Sequence, residues 1–259
     1  MGARPWPAVV LVVLVLTSGC AGLFGSEEPR DAASPTPAPV PTTPPPLAPG
    51  LTADGVADPT RLADANRQAL DGTAYRLNRT VAVRGPNGTL RIDRVQRVAD
   101  DGTAIGRLSV SGAGPVGTAV RNWTRYREGT VVWSRTTLAD GNTVTNRLVS
   151  SDTSPYFVGR ALPERLYRAG SFDVTRRSGE RIVLESTTPF RLARGTTELE
   201  TSPPRNVSVR LVVTEDGLVR ELSVGYDATI GSTSIRVRLT QSVRPAAVTV
   251  RPPHWVPRE

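Results

Sequence analysis

Residues 75–92, YRLNRTVAVRGPNGTLRI, contain the pattern that decides the fold. Apolar residues occupy alternate positions before the turn at residues 85–88, with Arg79 as the exception, and again after it. A period of two is typical of a β-strand with one buried face, and a Pro-Asn-Gly turn between two such runs predicts a hairpin. This stretch therefore predicts two antiparallel strands at the start of a β-rich region.

The alternating pattern continues over most of the chain, with short turns rich in Gly, Asn and Asp between the strands. The further candidate strands cover residues 105–110, 120–127, 131–138, 143–149, 172–176, 181–186, 207–214, 218–226 and 234–243. Such spacing predicts a meander of antiparallel hairpins. The strand order is local, so we expect sequential neighbours to pair.

Two segments predict helices. Asp58 and Pro59 favour a helix start, because Asp caps a helix and Pro is tolerated at its first position. The apolar spacing that follows predicts about 13 helical residues, ending near Gly72. Residues 155–169 interrupt the strand pattern and predict one or two short helices, the second beginning at Pro163.

The order of helix, strands, helices and strands resembles the LolA/LppX-like lipoprotein-carrier architecture over residues 55–245. The resemblance implies an α+β fold in which a strongly curved antiparallel β-sheet (a half-barrel) packs on a few short helices. It also implies an apolar cavity between the sheet and the helices.

The N-terminal residues have the composition of an export signal. Residues 8–16 form an apolar run of nine residues, which is too short to cross a bilayer but fits the core of a signal peptide. Residues 17–19, Thr-Ser-Gly, precede Cys20 as in a lipobox, although the usual pattern has Leu where this chain has Thr. We expect residues 1–19 to be removed and Cys20 to carry a lipid that anchors the chain at the extracytoplasmic face of a cell membrane. A free Cys at an ordinary cleavage site is the alternative.

A proline-rich segment separates this anchor from the rest of the chain. Residues 29–50 contain nine prolines, a composition that favours an extended polyproline helix and cannot build a packed core. The predicted organisation is therefore a signal peptide over 1–19, a lipidated stalk over 20–50, one β-rich domain over 51–251 and a Pro-rich tail over 252–259.

The charge pattern favours some interpretations of the surface over others. The chain has no Lys, so its 32 basic residues are all Arg, against 24 acidic residues, and the net charge is +8. The arginines are dispersed, which favours a solvated sheet face over a nucleic-acid or lipid-binding cluster. An exported protein also rarely meets nucleic acid, so we expect no such partner.

No residues point to catalysis. His254 is the only His and lies in the tail, and the single Cys excludes an internal disulfide and thiolate metal clusters. The carboxylate pairs at residues 100–101 and 215–216 each precede Gly, as turn residues do. We therefore expect no enzyme activity, no metal and no cofactor; converging carboxylates in a pocket would change that expectation.

A second resemblance concerns the N-terminal part of the chain, up to the first strand. The short lipobox signal, the Pro/Thr stalk and the helix from Asp58 into Tyr75 are similar to those of haloarchaeal lipoproteins of unassigned function. This resemblance implies an extracellular archaeal protein, although most haloarchaeal proteins are acidic and an actinobacterial source stays open. Four Asn-X-Ser/Thr motifs are glycosylation candidates, with Asn87 favoured because it lies in a turn: Asn78, Asn87, Asn122 and Asn206.

The aromatic residues allow two interpretations. They either fill the core or line a pocket for a hydrophobic ligand; the candidates are Trp123, Tyr126, Trp133, Phe157, Tyr167 and Phe172. We expect a membrane-anchored, non-catalytic binding module for an apolar small molecule or lipid. The alternative is a cell-envelope interaction or scaffold module that binds other envelope proteins or glycans.

Overall fold

The computed structural model describes residues 45–114, 119–149, 161–186 and 201–257. Cys20, the predicted signal peptide, residues 20–44 of the stalk and Phe157 lie outside these ranges. The elements are β1 (Leu51–Thr52), β2 (Gly55–Val56), α1 (Pro59–Gln68), β3 (Tyr75–Gly85), β4 (Gly88–Val98), β5 (Ala104–Ser111), β6 (Val120–Glu128), β7 (Val131–Leu138), β8 (Thr143–Val149), α2 (Ala161–Ala169), β9 (Phe172–Ser178), β10 (Arg181–Ser186), β11 (Arg205–Thr214), β12 (Val219–Ile230) and β13 (Thr233–Pro245).

Eleven of the described strands form one antiparallel sheet, in the order β8-β7-β6-β5-β4-β3-β13-β12-β11-β10-β9. It consists of two meanders, β3–β8 and β9–β13, which are joined because β3 pairs with β13. The edge strands β8 and β9 do not pair with each other, so the sheet is open. The large antiparallel sheet predicted from the alternating pattern is thus confirmed.

The pairing of β3 with β13 places apolar residues side by side on one face. Val81 is the register partner of Leu239 and Val83 is that of Val237, and all four are buried. We call this face, which packs against α1 and α2, the inner face, and the opposite one the outer face. The apolar residues of the inner face form the main core, because alternate residues of a strand share one face.

Helix α1 begins where the sequence predicts. The carboxylate oxygen Oδ1 of Asp58 accepts hydrogen bonds from the backbone N–H groups of Thr60 and Arg61, both at 3.0 Å, and Pro59 occupies the first helical position. These bonds satisfy two of the N–H groups that a helix start leaves without partners. The buried side of the helix, with Leu62 and Ala63, packs into the main core.

The second predicted helical region differs from expectation. Over the described part of residues 155–169 there is one helix, α2, and it begins at Ala161, so Pro163 lies inside its first turn and does not start a helix. The first four N–H groups of a helix have no intrahelical acceptor, so a proline costs no hydrogen bond there. With only two described helices, of 10 and 9 residues, the domain is more sheet and less helix than the predicted architecture implies.

Candidate functional site

A row of polar side chains interrupts the apolar inner face. Gln241, Arg79 and Arg94 are successive register partners on β13, β3 and β4, and all are buried. Arg79 is 6% exposed and Arg94 is 5% exposed. Gln96, at the next inner position of β4, is also buried. Together with two inner-face residues of β6, the row makes up what we call the polar belt: Gln241, Arg79, Arg94, Gln96, Trp123 and Arg125.

The polar belt separates two apolar clusters. On β3, Leu77 belongs to a small cluster on one side of the belt, and Val81 belongs to the main core on the other side. Strand β4 repeats this arrangement, with Val98 in the small cluster and Ile92 in the main core. The belt therefore crosses the inner face between two apolar surfaces, where a fold would ordinarily continue its core.

Trp123 is the aromatic centre of the polar belt. The guanidinium carbons of Arg94 and Arg125 lie 4.8 Å and 4.4 Å from the centroid of its ring, which is within cation–π range. Its ring also lies against Gly106: a Cβ atom built at that glycine would be 3.2 Å from Cζ3 of Trp123. The absence of a side chain at residue 106 thus gives the indole room to lie on the sheet.

The polar belt is a concentration of positive charge. No Asp or Glu occupies an inner-face position of β3–β8 or β13. Arg79, Arg94 and Arg125 each have at least one hydrogen-bonding, ionic or ring partner. A guanidinium group keeps its charge in proteins, and burying it is costly. A buried cationic belt is therefore a favourable place for an anionic group to bind.

Beyond the polar belt the inner face becomes accessible. Thr136 is the register partner of Trp123, and Val144 is that of Thr136, so this row leads from the belt to the edge strand β8. Every residue of β8 is exposed, and its two large apolar inner-face residues, Val144 and Leu148, are 43% and 38% exposed. Accessible apolar surface thus lies next to the cationic belt.

The other part of the inner face is occupied by the helices. Leu62 of α1 and Leu166 of α2 are fully buried in the same cluster as Leu211 and Val213 of β11. Within the described residues, the apolar surface over this half is covered by the chain itself. The implied cavity between sheet and helices would have to lie at the β6–β8 side.

The structure does not bring the aromatic pocket candidates together. Trp123 lies in the polar belt, whereas Tyr126 and Trp133 are register partners on the outer face, with ring centroids 5.7 Å apart. Tyr167 and Phe172 pack edge to face in the main core at 6.2 Å. Phe157 lies outside the described residues.

Two buried tyrosines have raised pKa values. Burial raises the pKa of Tyr126 to about 12, with a further contribution from the hydrogen bond that its hydroxyl donates to Oε2 of Glu128 at 3.1 Å. Burial alone raises the pKa of Tyr167 well above its usual value. Tyr126 lies on the outer face and Tyr167 lies in the main core, so both shifts reflect packing.

The remaining sequence candidates lie at the surface. Asn78, Asn87 and Asn122 are exposed, Asn87 in the β3–β4 turn, whereas Nδ2 of the exposed Asn206 donates a hydrogen bond to Asp227 at 3.0 Å. His254 is exposed.

The carboxylates of the acidic turns stabilise the turns themselves. Asp101 accepts a hydrogen bond from the backbone N–H of Thr103 at 2.7 Å, and Asp216 accepts one from the backbone N–H of Leu218 at 3.3 Å. Within the described ranges, no group of three or more His, Cys, Asp or Glu side chains is placed to hold a metal ion.

Sequence reasoning noticed only part of the polar belt. Arg79 stood out as an exception to the alternating pattern, but Arg94, Gln96 and Gln241 occupy the same apolar phase of their strands and were missed. The signal that identifies them is one or two successive polar residues in the apolar phase of a strand, with apolar residues before and after, repeated on neighbouring strands.

The chain has only limited similarity to known proteins. No family model and no curated protein sequence matches the chain. Among solved structures it is similar to LprF from Mycobacterium bovis, with 10% identity and a TM-score of 0.35, over 77% of this chain and 99% of that one. It is also similar to a LolA superfamily protein from Nitrosomonas europaea, with 10% identity and a TM-score of 0.29, over 73% and 94%. At these scores the matches assign no function.

Proposed function

We propose that the protein is a non-catalytic binding module for an amphiphile with an acidic head group, such as a lipid, and that it is an exported lipoprotein anchored through Cys20. The single observation that carries the proposal is the polar belt, in which the buried Arg79 and Arg94 and the half-buried Arg125 lie beside accessible apolar surface on β8. The belt takes the acidic head of the ligand, and the apolar surface takes its hydrocarbon part.

The head group binds through the guanidinium groups. Arginine presents N–H groups in a rigid fork that matches a carboxylate or phosphate, and such charge-assisted hydrogen bonds are stronger than neutral ones. Partial burial strengthens them further, because the effective dielectric constant is lower than in water. Arg94 and Arg125 are also placed by their contacts with the ring of Trp123. This placement reduces the entropy that the side chains lose when a ligand binds.

The hydrocarbon part binds along β7 and β8. Val144 and Leu148 are on the inner face, and burying them under an acyl or isoprenoid chain removes apolar surface from water. Burial contributes about 0.8 kcal/mol for each methylene group of the ligand. A short contact of four or five methylenes would therefore add roughly 3–4 kcal/mol to binding.

The proposed anchor places the domain near its ligand. A lipid on Cys20 and the extended stalk would hold the domain at the extracytoplasmic face of the membrane, where amphiphiles are available. No helix within the described residues is long and apolar enough to cross a membrane. The anchoring proposal rests on the lipobox and the Pro-rich stalk of the sequence.

A second candidate function is an envelope interaction module that binds glycans or proteins. The observation that favours it is a polar cleft on the outer face, which Arg107, Arg135 and Arg251 line. The two functions use opposite faces of the sheet and can be tested separately.

The experiment is native mass spectrometry of the secreted Cys20→Ser chain, purified from its own host without detergent. We expect a discrete added mass that organic solvent extracts. It should be absent from Arg94→Met and present in Arg76→Gln, the matched control on the exposed outer face of β3. A bare protein mass, together with no uptake of fluorescent fatty acids, would contradict the proposal.

A further inference from the structure

The C-terminal tail forms one wall of a cleft on the outer face. The cleft has a volume of about 440 Å³, and its lining includes Arg107, Asn122, Thr124, Arg135, Arg251 and Trp255. We call it the tail cleft. It lies on the face opposite the polar belt, so the proposed lipid site does not account for it.

The floor of the tail cleft consists of two neighbouring rows of the sheet. Arg107, Thr124 and Arg135 are successive register partners on β5, β6 and β7. Asn122 and Thr137 are register partners in the adjacent row, which continues to β8. Since adjacent strands are about 4.8 Å apart, the two arginine backbones are roughly 10 Å apart, with hydroxyl groups between and beside them.

The wall of the tail cleft is held in place by its own packing. The backbone N–H of Val256 donates a hydrogen bond to the carbonyl of Pro253 at 3.0 Å, and the Val256 side chain is buried. The turn places Trp255, which is half-buried, and Arg251 along the cleft. The floor and the wall therefore come from parts of the chain that are more than a hundred residues apart.

The tail cleft carries positive charge. Within the described residues, no Asp or Glu lines it, and none of Arg107, Arg135 and Arg251 forms an ion pair. The other meander is different. There, Arg181 pairs with Glu221 at 2.7 Å, and three further arginines pair with a carboxylate: Arg177, Arg210 and Arg236. Two arginines of the sheet and one of the tail thus line one concave site and have no acidic partner among the described residues.

We propose that the tail cleft binds a short acidic saccharide, that is, a sugar chain that carries carboxylate groups. The guanidinium groups match carboxylates, and the hydroxyl and amide groups of Thr124, Thr137 and Asn122 match sugar hydroxyls. The flat apolar surface of Trp255 matches the C–H face of a sugar ring. The volume falls within the roughly 300–1,000 Å³ of small-molecule sites. A bilayer surface fits less well, because the arginines line a concave, hydroxyl-rich site.

The test is isothermal titration calorimetry on the full chain with Cys20→Ser, produced in a host that attaches no N-glycans, since Asn122 itself lies in the cleft. The ligands are a trimer of galacturonic acid and a neutral trimer of galactose. We expect the acidic trimer to bind at least tenfold more tightly than the neutral one. Arg135→Gln and Trp255→Ala should each lower the affinity for the acidic trimer about tenfold, as expected for the loss of a charge-assisted or stacking contact. Arg238→Gln, at an exposed outer-face position of β13, should leave the affinity for the acidic trimer unchanged.

Three results would overturn the proposal. One is equal affinity for the acidic and neutral trimers. The second is unchanged affinity in Arg135→Gln when its thermal unfolding midpoint, which verifies its folding, matches that of the parent chain. The third is that the protein sediments with phosphatidylglycerol vesicles in a way that depends on Arg135, but does not bind the acidic trimer. That result would make the site a membrane contact.

Discussion

Arg79 and Arg94 lie directly opposite each other on β3 and β4, with both side chains on the buried inner face. Like charges in directly opposed positions of an antiparallel pair are destabilising, and a guanidinium group cannot lose its proton to relieve the repulsion. The adjacent pair on the same strands, Val81 and Ile92, is apolar. The proposed function gives this charged pair, which lies beside an apolar pair, a role in binding.

Replacing Arg94 should separate binding from stability. We expect Arg94→Met to lower affinity for an anionic amphiphile at least tenfold, because a charge-assisted contact is lost. The free energy of unfolding should change by no more than about 1–2 kcal/mol, since Met fills the space and relieves the repulsion from Arg79. Urea unfolding and lipid titration of the same preparation measure both quantities. A loss of several kcal/mol with unchanged affinity would show that Arg94 has a structural role.

The raised pKa of Tyr126 predicts a dependence of stability on pH. The pKa of Tyr126 is about 12 in the folded chain, against about 10 for an exposed tyrosine. A group whose pKa is raised by folding stabilises the fold fully below its unfolded-state value. That contribution should be lost progressively as pH rises from 10 towards 12. The measurement is urea unfolding across this range for the wild type and Tyr126→Phe, and the difference between the two should shrink with pH.

A control identifies the cause of the Tyr126 shift. Burial is its largest cause and the hydrogen bond to Glu128 is the next. In Glu128→Gln the pKa of Tyr126 should therefore fall but stay above that of an exposed tyrosine. A value equal to that of an exposed tyrosine, measured by tyrosinate absorbance, would contradict the assignment to burial.

Asn66 connects α1 to the β11–β12 hairpin. Its side-chain oxygen accepts a buried hydrogen bond from the backbone N–H of Val219 at 2.9 Å, where the β11–β12 register shifts. Asn66→Ala leaves that N–H buried without an acceptor, so we expect a loss of about 1–3 kcal/mol in the free energy of unfolding. Chemical denaturation measures it, and Gln68→Ala on the exposed side of α1 is the control. Equal stability of the two variants would exclude the proposed connection.

Two glycines with the same backbone angle provide a matched pair for packing. Gly217 and Gly141 have φ values of 89° and 90°. A Cβ at Gly217 would lie 2.6 Å from Cβ of Ala65, whereas one at Gly141 would have nothing within 4 Å. Both Ala variants should lose roughly 1–2 kcal/mol from the positive φ. Gly217→Ala should lose about 1–3 kcal/mol more, because α1 must move away from the hairpin.

The outcome of the glycine pair bears on the docking of α1. Thermal unfolding of both variants under the same conditions gives the comparison. If the two were destabilised equally, the close approach of the hairpin turn to α1 would not hold.

The strands could be predicted from the sequence because their signals are local. Residues 131–138, 143–149 and 181–186 were predicted with the bounds that the structure has, since alternation and Gly-containing turns define both ends. Asp58 likewise defined the start of α1. Helix α2 was less clear, because a proline in the first turn has the same local signature as a proline that starts a helix.

The sites depend on relations that no local pattern contains. The polar belt exists because β3 pairs with β13, which brings Gln241 beside Arg79 across more than 150 residues. The tail cleft exists because the tail, which has no periodicity, lies against β5–β8. Dispersed arginines such as Arg107 and Arg135 therefore suggested a solvated face, whereas the register brings them into one cleft.

The most direct test of lipid binding at the polar belt uses two tryptophans on opposite faces. Trp123 is on the inner face and Trp133 is on the outer face of the neighbouring strand. Two variants of the Cys20→Ser chain each keep one of them and replace the other, together with Trp6 and Trp255, by Phe. The measurement is quenching of their fluorescence by an anionic phospholipid with brominated acyl chains. The account predicts strong quenching of Trp123 and little of Trp133; equal quenching of both, or none, would contradict it.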